Sequence, residues 1–164
     1  MEFTFLEFLR GIVLTFLTFN VLLPVVLQLG SVASQLANGL PPFVDTWTML
    51  AVPIYAAPIS GLVCLTYGGF LAYGMGKALR RESRRWVHRL AYVALGGVLG
   101  YLTSALLQVG TYGSETGGVW GALMSPGHLM FAGSGALAVW IGWEFTSSRA
   151  LRADARSARV GAAQ

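Results

Sequence analysis

The sequence predicts an all-α integral membrane protein, a single transmembrane domain of four helices with both termini in the cytoplasm. First, 55% of its 164 residues are hydrophobic and 11% are charged, with a mean hydropathy of +0.62, well outside the balance of soluble domains. Second, the apolar residues fall into four long runs, each near the roughly 20 residues that a spanning helix needs. Third, the Lys and Arg residues lie near the ends of these runs.

The placement of the basic residues predicts the topology. Six of the eleven Lys and Arg residues lie in residues 77–89, here called the basic hub, and the others are Arg10 and four Arg residues in the tail, 144–164. The predicted loops around Asp45 and Glu115 contain none. Cytoplasmic segments are enriched in Lys and Arg, so the termini and the hub should be cytoplasmic. The excess of Arg over Lys favours a bacterial plasma membrane.

The first run, residues 3–29, has two possible interpretations. Ser31-Val32-Ala33 is similar to a signal-peptide cleavage site, which would remove everything before it. However, no basic residue precedes Arg10, and the apolar core is longer than that of a signal peptide. A retained first span is therefore the better interpretation, followed by a loop over residues 30–46.

The remaining runs predict three more spans, separated by the hub and by a short loop. Pro53 and Pro58 lie in the second run and indicate either a bend near the membrane interface or a functional break in the helix. No basic residue lies between the third and fourth runs. The predicted second, third and fourth spans are residues 47–76, 87–109 and 119–143, and the cytoplasmic tail is 144–164.

Small residues recur along one face of each of the last three predicted spans. Such faces let helix backbones approach closely in lipid, where the hydrophobic effect gives helices no reason to associate. Two interpretations follow: the faces pack inside one bundle, or at least one of them forms an oligomer. The predicted packing residues are Gly61, Gly68, Ala72 and Gly76 in the second span, Gly96, Gly100 and Ser104 in the third, and Gly121, Ala132 and Gly135 in the fourth.

Three polar residues inside the spans, Asn20, Gln28 and His128, form a candidate in-membrane pathway. His128 shares the small-residue face of its span, which favours a structural, neutral imidazole over a proton or ligand contact. Met124 precedes it by four residues, and a thioether with an imidazole suits copper, but the lack of a second His or a Cys nearby makes a poor site. The sequence therefore predicts no metal.

The basic residues of the hub and tail follow helical spacing and should contact anionic headgroups on the cytoplasmic side of the bilayer. An acidic cytoplasmic partner is the alternative. Nucleic acid is not expected as a partner, because the charges are not interleaved with an aromatic platform on which bases could stack. The residues concerned are Lys77, Arg80, Arg81, Arg84, Arg85, Arg89, Arg149, Arg152, Arg156 and Arg159.

The functional expectation is a non-enzymatic, polytopic membrane protein that acts as a self-associating or accessory subunit of a membrane complex. Its partner would be a second copy of the chain or another membrane protein. The alternative is a small oligomeric channel or transporter that uses the polar pathway. The sequence contains no nucleotide-binding loop, no paired-carboxylate site and no plausible Ser/His/Asp set, so it predicts no cofactor and disfavours an enzyme.

Overall fold

The computed structural model describes residues 5–82, 84–112, 124–125 and 127–161, and over these residues it is all-helical, without a strand. A π-helical turn, Cys64–Gly68, joins the second helix to the third, and a 3₁₀ turn, Leu79–Arg81, follows the third. The predicted all-α fold class is confirmed. The helices are α1 (Phe5–Ala37), α2 (Thr46–Val63), α3 (Gly69–Ala78), α4 (Arg85–Tyr112) and α5 (Gly127–Gly161).

Three helical stretches are long and apolar enough to cross a membrane: Phe8–Ala37, Thr46–Ala78 and Arg85–Val109. By length and composition they support the prediction of a membrane protein with transmembrane helices. Helix α5 is not among them, since its described part carries His128 and Glu144 besides many small residues. Most of the predicted loop 110–118 and the first residues of the predicted fourth span lie outside the part of the chain that the structure describes.

Helix α1 continues through Ala37, although the sequence predicts a loop from Gly30. The segment after Gly30 has no further Gly or Pro to stop the helix, and Asn38 then closes it by donating from its side chain to the Ser34 carbonyl at 2.7 Å. Gly39 follows with φ +69°, a left-handed conformation that suits glycine. The 33 residues of α1 span about 50 Å at 1.5 Å per residue, more than the hydrocarbon core of about 30 Å.

Asp45 begins α2 as its N-cap. Its carboxylate accepts the Trp47 backbone N–H at 3.0 Å and the Thr48 hydroxyl at 2.5 Å. The Thr48 hydrogen bond, followed by those from the backbone, holds the pKa of the Asp45 carboxyl below its usual range. The cap thus fixes where the helix leaves the loop.

The second span is broken at the π-helical turn, beyond the two prolines that the sequence singles out. Pro53 and Pro58 both lie within α2, whereas the backbone leaves helical geometry at Thr66, with φ −100° and ψ −111°. Two glycines accommodate this turn: a Cβ on Gly68 or Gly69 would lie only 2.7 Å from a carbonyl oxygen of the preceding turn. Turns of this kind occur often at functional sites.

The helices pack in the order α2, α1, α5, α4, and α3 touches α4 next to the hub. Helices α4 and α5 form the closest pair, because their small residues face one another. A Cβ on Gly96 would lie 2.5 Å from the Gly135 carbonyl oxygen, and one on Gly100 would lie 2.9 Å from the Phe131 carbonyl carbon. Leu23 of α1 and Ala138 of α5 are among the most buried apolar residues at the centre.

The basic residues with described positions gather at one end of the bundle, here called the basic end. Arg89 of the hub forms an ion pair with Glu144 of α5, which places the start of α4 beside the middle of α5. Gly11, next to Arg10, packs against Thr146. At the opposite end, Gly30 packs against Met130. Helices α1, α4 and α5 therefore each run between the same two ends.

Candidate functional site: an apolar cleft between α2 and α4

Helices α2 and α4 lie on opposite sides of the bundle and leave a cavity of about 390 Å³ between them, here called the large chamber. Side chains of α1 and α5 form its floor, among them Phe19 and Phe131. Its walls come from the small and apolar residues of α2 and α4. Wall residues include Ala51, Val52, Ala56, Ile59 and Val63 of α2, and Leu99, Thr103 and Leu107 of α4.

A second cavity of about 120 Å³, the small chamber, lies nearer the basic end. It is lined by residues of all five helices and the π-helical turn, and Trp143 and Thr146 mark its basic end. The two chambers adjoin, because both are lined by Thr15, Val63, Cys64, Leu99 and Val139. Together they form one cleft.

The cleft follows α4 from Leu107 to Tyr92, which is about 22 Å at 1.5 Å per residue. Its lining is apolar apart from a few hydroxyl and sulfhydryl groups such as Thr15, Ser60 and Cys64. A water molecule needs two to four polar partners, so such a surface does not hold an ordered water chain. The large chamber has the size of ligand-binding pockets, which run from about 300 to 1,000 Å³.

Two tyrosines bridge the cleft. Tyr67 of the π-helical turn places its hydroxyl 3.0 Å from the Thr103 hydroxyl of α4, and Tyr92 of α4 donates to the Ala72 carbonyl at 3.3 Å. Because a π-helical turn holds an extra residue, it changes the direction of the side chains that follow, and Tyr67 lies in this turn. The sequence did not predict these bridges or the cleft. The adjacent glycines Gly68 and Gly69 are the pattern that could have indicated a break in the helix at this point.

The structure places the predicted pathway residues in three separate contacts. The Asn20 amide donates to Ser60 of α2 at 2.9 Å, and the Gln28 amide donates to the Phe43 carbonyl of the loop at 3.1 Å. His128 lies between α4 and α5. Each side chain therefore connects a different pair of segments. A role for the three residues in one polar pathway through the membrane stays a prediction.

His128 is 3% exposed, and its Nδ1 lies 2.9 Å from the Ser104 hydroxyl oxygen. Ser104 donates its single proton to the Tyr101 carbonyl at 2.9 Å, so Nδ1–H is the donor towards Ser104. The Tyr101 ring meets the imidazole edge-on, with centroids 5.3 Å apart. The imidazole thus extends the close contact of α4 and α5 beyond their glycines.

The predicted packing residues fall into two groups. Gly96, Gly100, Ser104, Ala132 and Gly135 lie in the contact between α4 and α5. The residues of the second span face other partners. A Cβ added to Gly61 would lie 3.5 Å from the Phe16 ring, one on Gly68 would lie 3.6 Å from the Leu99 side chain, and one on Gly76 would lie 3.0 Å from the Tyr92 hydroxyl. Ala72 lines the small chamber, and Gly121 is outside the described ranges.

The basic residues lie around the basic end, where the structure describes few carboxylates. Arg89 pairs with Glu144 at 2.5 Å and lies 5.8 Å above the Trp143 ring. Arg149 lies over Phe145 at 4.4 Å. Lys77, Arg80, Arg84 and Arg85 belong to the hub, whereas the side chains of Arg81, Arg152, Arg156 and Arg159 are not among those described.

Comparison with known protein families, with curated proteins and with solved structures finds no match to this chain. Among the described residues, no group of three or more His, Cys, Asp and Glu residues could hold a metal ion. The fold and the cleft therefore define the class of molecule by themselves. It is a helical membrane protein with an apolar cavity between two of its helices.

Proposed function

We propose that the protein is a non-enzymatic membrane subunit, self-associating or accessory to another membrane protein, that holds a hydrocarbon chain of a membrane amphiphile in its cleft. The observation that carries this proposal is the apolar cleft of about 22 Å between α2 and α4. A helix is about 10–12 Å wide with its side chains, too wide for a chamber of 390 Å³. A hydrocarbon chain is narrow enough to enter it.

The driving force for occupancy is packing rather than hydrophobicity. Lipid tails are as apolar as the cleft, so moving a chain from the bilayer into the cleft gains little by the hydrophobic effect. An empty cleft, however, leaves the side chains around it without contacts on one side, and these lost dispersion contacts are collectively large. Residues such as Leu99 and Val139 line both chambers and would contact such a chain along its length.

The proposed topology is four spans with both termini in the cytoplasm, in a bacterial plasma membrane. It is supported by the gathering of Arg10, the hub and Arg149 at one end of the bundle, because basic residues favour the cytoplasmic side. Helix α5 would be the fourth span, completed by residues before Gly127. Lys and Arg of the hub and tail would then contact anionic headgroups.

A protein partner would use surfaces other than the glycine faces of α4 and α5, since those faces are occupied by one another. The exposed side of α2, the π-helical turn and α3 is one candidate, with Leu62, Leu65 and Phe70 all strongly exposed. The channel or transporter alternative has less support, because the cleft is apolar and the three pathway residues bond to different segments.

Native mass spectrometry of the protein extracted in mild detergent tests the proposal. The wild type should retain one amphiphile, and Ala56→Phe should lose it because the new ring fills the large chamber that Ala56 lines. Ile54→Phe is the matched control, since Ile54 is 70% exposed on the same helix and its ring would enter lipid. Equal retention of amphiphile by all three proteins would contradict the proposal.

A further inference from the structure

The connection between α1 and α2 exposes a run of apolar side chains at the end of the bundle opposite the basic end. The run is Leu40-Pro41-Pro42-Phe43-Val44, here called the apolar loop, and all five residues are exposed. Phe43 is 67% exposed and Val44 is 57% exposed. Contiguous exposed apolar surface of this kind marks contact with a protein, a ligand or a membrane.

Two glutamine side chains of α1 hold the apolar loop in place. The Phe43 backbone N–H donates to the Gln35 Oε1 at 2.7 Å, and the buried Gln28 amide donates to the Phe43 carbonyl at 3.1 Å. Both backbone groups of Phe43 are therefore bonded to α1, while its side chain stays exposed. The level of Phe43 along the bundle is set between Gln28 and Gln35.

The backbone N–H groups at the start of the apolar loop are satisfied without water. The Leu40 N–H donates to the Gln35 carbonyl at 2.9 Å, Pro41 and Pro42 have no N–H, and the Phe43 N–H is bonded to the Gln35 side chain. Unpaired backbone groups normally keep loops out of apolar surroundings, because they are costly to remove from water. From Leu40 to Phe43, this loop leaves no N–H unpaired.

The length of α1 places the apolar loop at the edge of the hydrocarbon core. Arg10 is exposed, and an exposed charged side chain belongs outside the core, so the core begins near Arg10. At 1.5 Å per residue, the roughly 20 residues that cross a core of about 30 Å then end near Gly30. Gln28 and Gln35 lie on either side of this level. Phe43, which they hold, therefore lies where acyl chains meet headgroups.

We propose that the apolar loop anchors this end of the protein by inserting Leu40, Phe43 and Val44 into the boundary between acyl chains and headgroups. The partner is a lipid surface, and the hydrophobic effect drives the contact, because three large apolar side chains leave water. Trp47 follows the loop and is 75% exposed, and tryptophan is enriched at this level of the membrane. The contact does not depend on a hydrocarbon chain in the cleft.

Spin labels placed in the full chain test the insertion. Leu40→Cys and Val44→Cys are each made with Cys64→Ala, labelled, and reconstituted into phosphatidylcholine vesicles. Collisions with oxygen, which concentrates in hydrocarbon, are compared with collisions with a nickel chelate, which stays in water. Both labels should show a high ratio of oxygen to nickel collisions. A ratio typical of water at both positions would overturn the proposal.

Ala37→Cys in the same background is the matched control. Ala37 is exposed at the end of α1, and residues 31–37 extend the helix by about 10 Å beyond Gly30. The headgroup region is only about 5–7 Å thick on each side, so this label should lie in water and collide mainly with nickel. If the ratio at Ala37 equals those at Leu40 and Val44, the loop has no special contact with lipid and the proposal fails.

The lipid composition tests the driving force. Residues 30–46 contain no Lys or Arg, so adding phosphatidylglycerol to the vesicles should leave the collision ratios unchanged. Insertion that occurs only with phosphatidylglycerol would contradict an apolar contact. A protein partner predicts another pattern: labels at Leu40 and Val44 that are in water in vesicles and shielded from nickel only in native membranes. That pattern would also overturn the proposal.

If the Cys64→Ala background does not fold, tryptophan fluorescence in the native background decides. The wild type and Trp47→Phe are reconstituted with a phospholipid brominated near the headgroup end of its acyl chains, which quenches nearby indoles. Trp47 is the tryptophan next to the apolar loop, so its removal should lower the quenched fluorescence intensity. Unchanged quenched intensity would place Trp47 away from the boundary and overturn the proposal.

Discussion

The contact between α4 and α5 and the cleft between α2 and α4 are both bordered by glycines, yet one is closed and the other open. In the closed contact, Gly96 faces Gly135, so the two backbones approach each other. On the open side, Gly68 faces the Leu99 side chain, and its missing Cβ makes room for the Val63 carbonyl, which immediately precedes the π-helical turn. A small residue brings two helices together where the facing surface lets the backbones approach, as Gly135 and the Phe131 backbone do here.

The two regions should therefore respond in opposite ways to added volume. A larger side chain in the closed contact must displace backbone, which a packed interior resists. A larger side chain on a wall residue of the large chamber such as Ala56, unlike one on Gly68 in the π-helical turn, enters empty space and displaces at most a bound chain. Substitutions that add volume on each side consequently test the comparison.

The largest effect is expected from Gly100→Leu, because any Cβ at this position overlaps the Phe131 backbone. Overpacking costs about 1–3 kcal/mol and sometimes more, and a clash with backbone belongs at the upper end of that range. Thermal unfolding in mild detergent should show a large loss of stability or no folded protein. Gly133→Leu is the control, because a Cβ on Gly133 meets nothing within 4 Å; equal stability of the two variants would refute the closed contact.

A smaller loss is expected from Gly68→Ala. Its Cβ would lie 2.7 Å from the Val63 carbonyl oxygen, so the π-helical turn must rearrange, and the Tyr67 bridge to Thr103 should break. We expect a loss of about 1–3 kcal/mol, the usual cost of overpacking, measured by thermal unfolding. Gly74→Ala, on the open surface of α3, should leave stability unchanged or raise it, and a matching loss in that control would contradict the account of the turn.

Replacing His128 with a polar residue should lower the stability of the fold less than replacing it with an apolar one. Gln can still donate to Ser104, whereas His128→Leu leaves the buried Ser104 oxygen without that donor, at a cost of about 1–3 kcal/mol. Unfolding measurements should therefore rank His128→Gln close to the wild type and His128→Leu below it. A transport or leak assay whose pH dependence disappears in a folded His128→Gln variant would instead favour the channel or transporter alternative.

The smallest effect concerns the cap of α2. The pKa of Asp45 is lowered in the folded protein, mainly by the Thr48 hydroxyl, so its contribution to stability is present above the unfolded pKa of about 3.9 and is lost as pH falls through the lower folded pKa. Asp45→Ala should reduce the unfolding temperature slightly at pH 7, with the difference from wild type vanishing in strong acid. A difference that persists unchanged in strong acid would exclude the carboxylate as its cause.

The helical membrane fold could be predicted from the sequence because hydropathy, run length and Lys/Arg placement are local properties. The faces of α4 and α5 could also be predicted, since Gly96, Gly100 and Gly135 recur at helical spacing. Which faces meet could not be predicted, because that depends on the side chains opposite. Gly68 and Gly100 both lie on a small-residue face at helical spacing. In the structure, Gly68 makes room for a carbonyl of its own helical segment, whereas Gly100 packs against the backbone of α5.

The parts of the candidate site that could not be predicted depend on contacts distant in sequence or on local backbone geometry. The extension of α1 to Ala37 follows from the lack of a strong stop signal before Asn38, which a search for polar loop residues overlooks. The burial of the Trp143 ring is another example, since it depends on side chains that are distant in sequence. Its burial follows from packing against Tyr92 and Arg89.

Photocrosslinking with a phospholipid that carries a diazirine in its acyl chain tests most directly whether a hydrocarbon chain occupies the cleft. After irradiation in native membranes, peptide mapping should find labelled residues on the floor of the cleft, such as Phe19 and Val139, besides the strongly exposed Leu17 and Leu62. Ala56→Phe should abolish the floor labelling and leave the lipid-facing labelling unchanged. Labelling confined to the lipid-facing residues of the wild type would contradict the account.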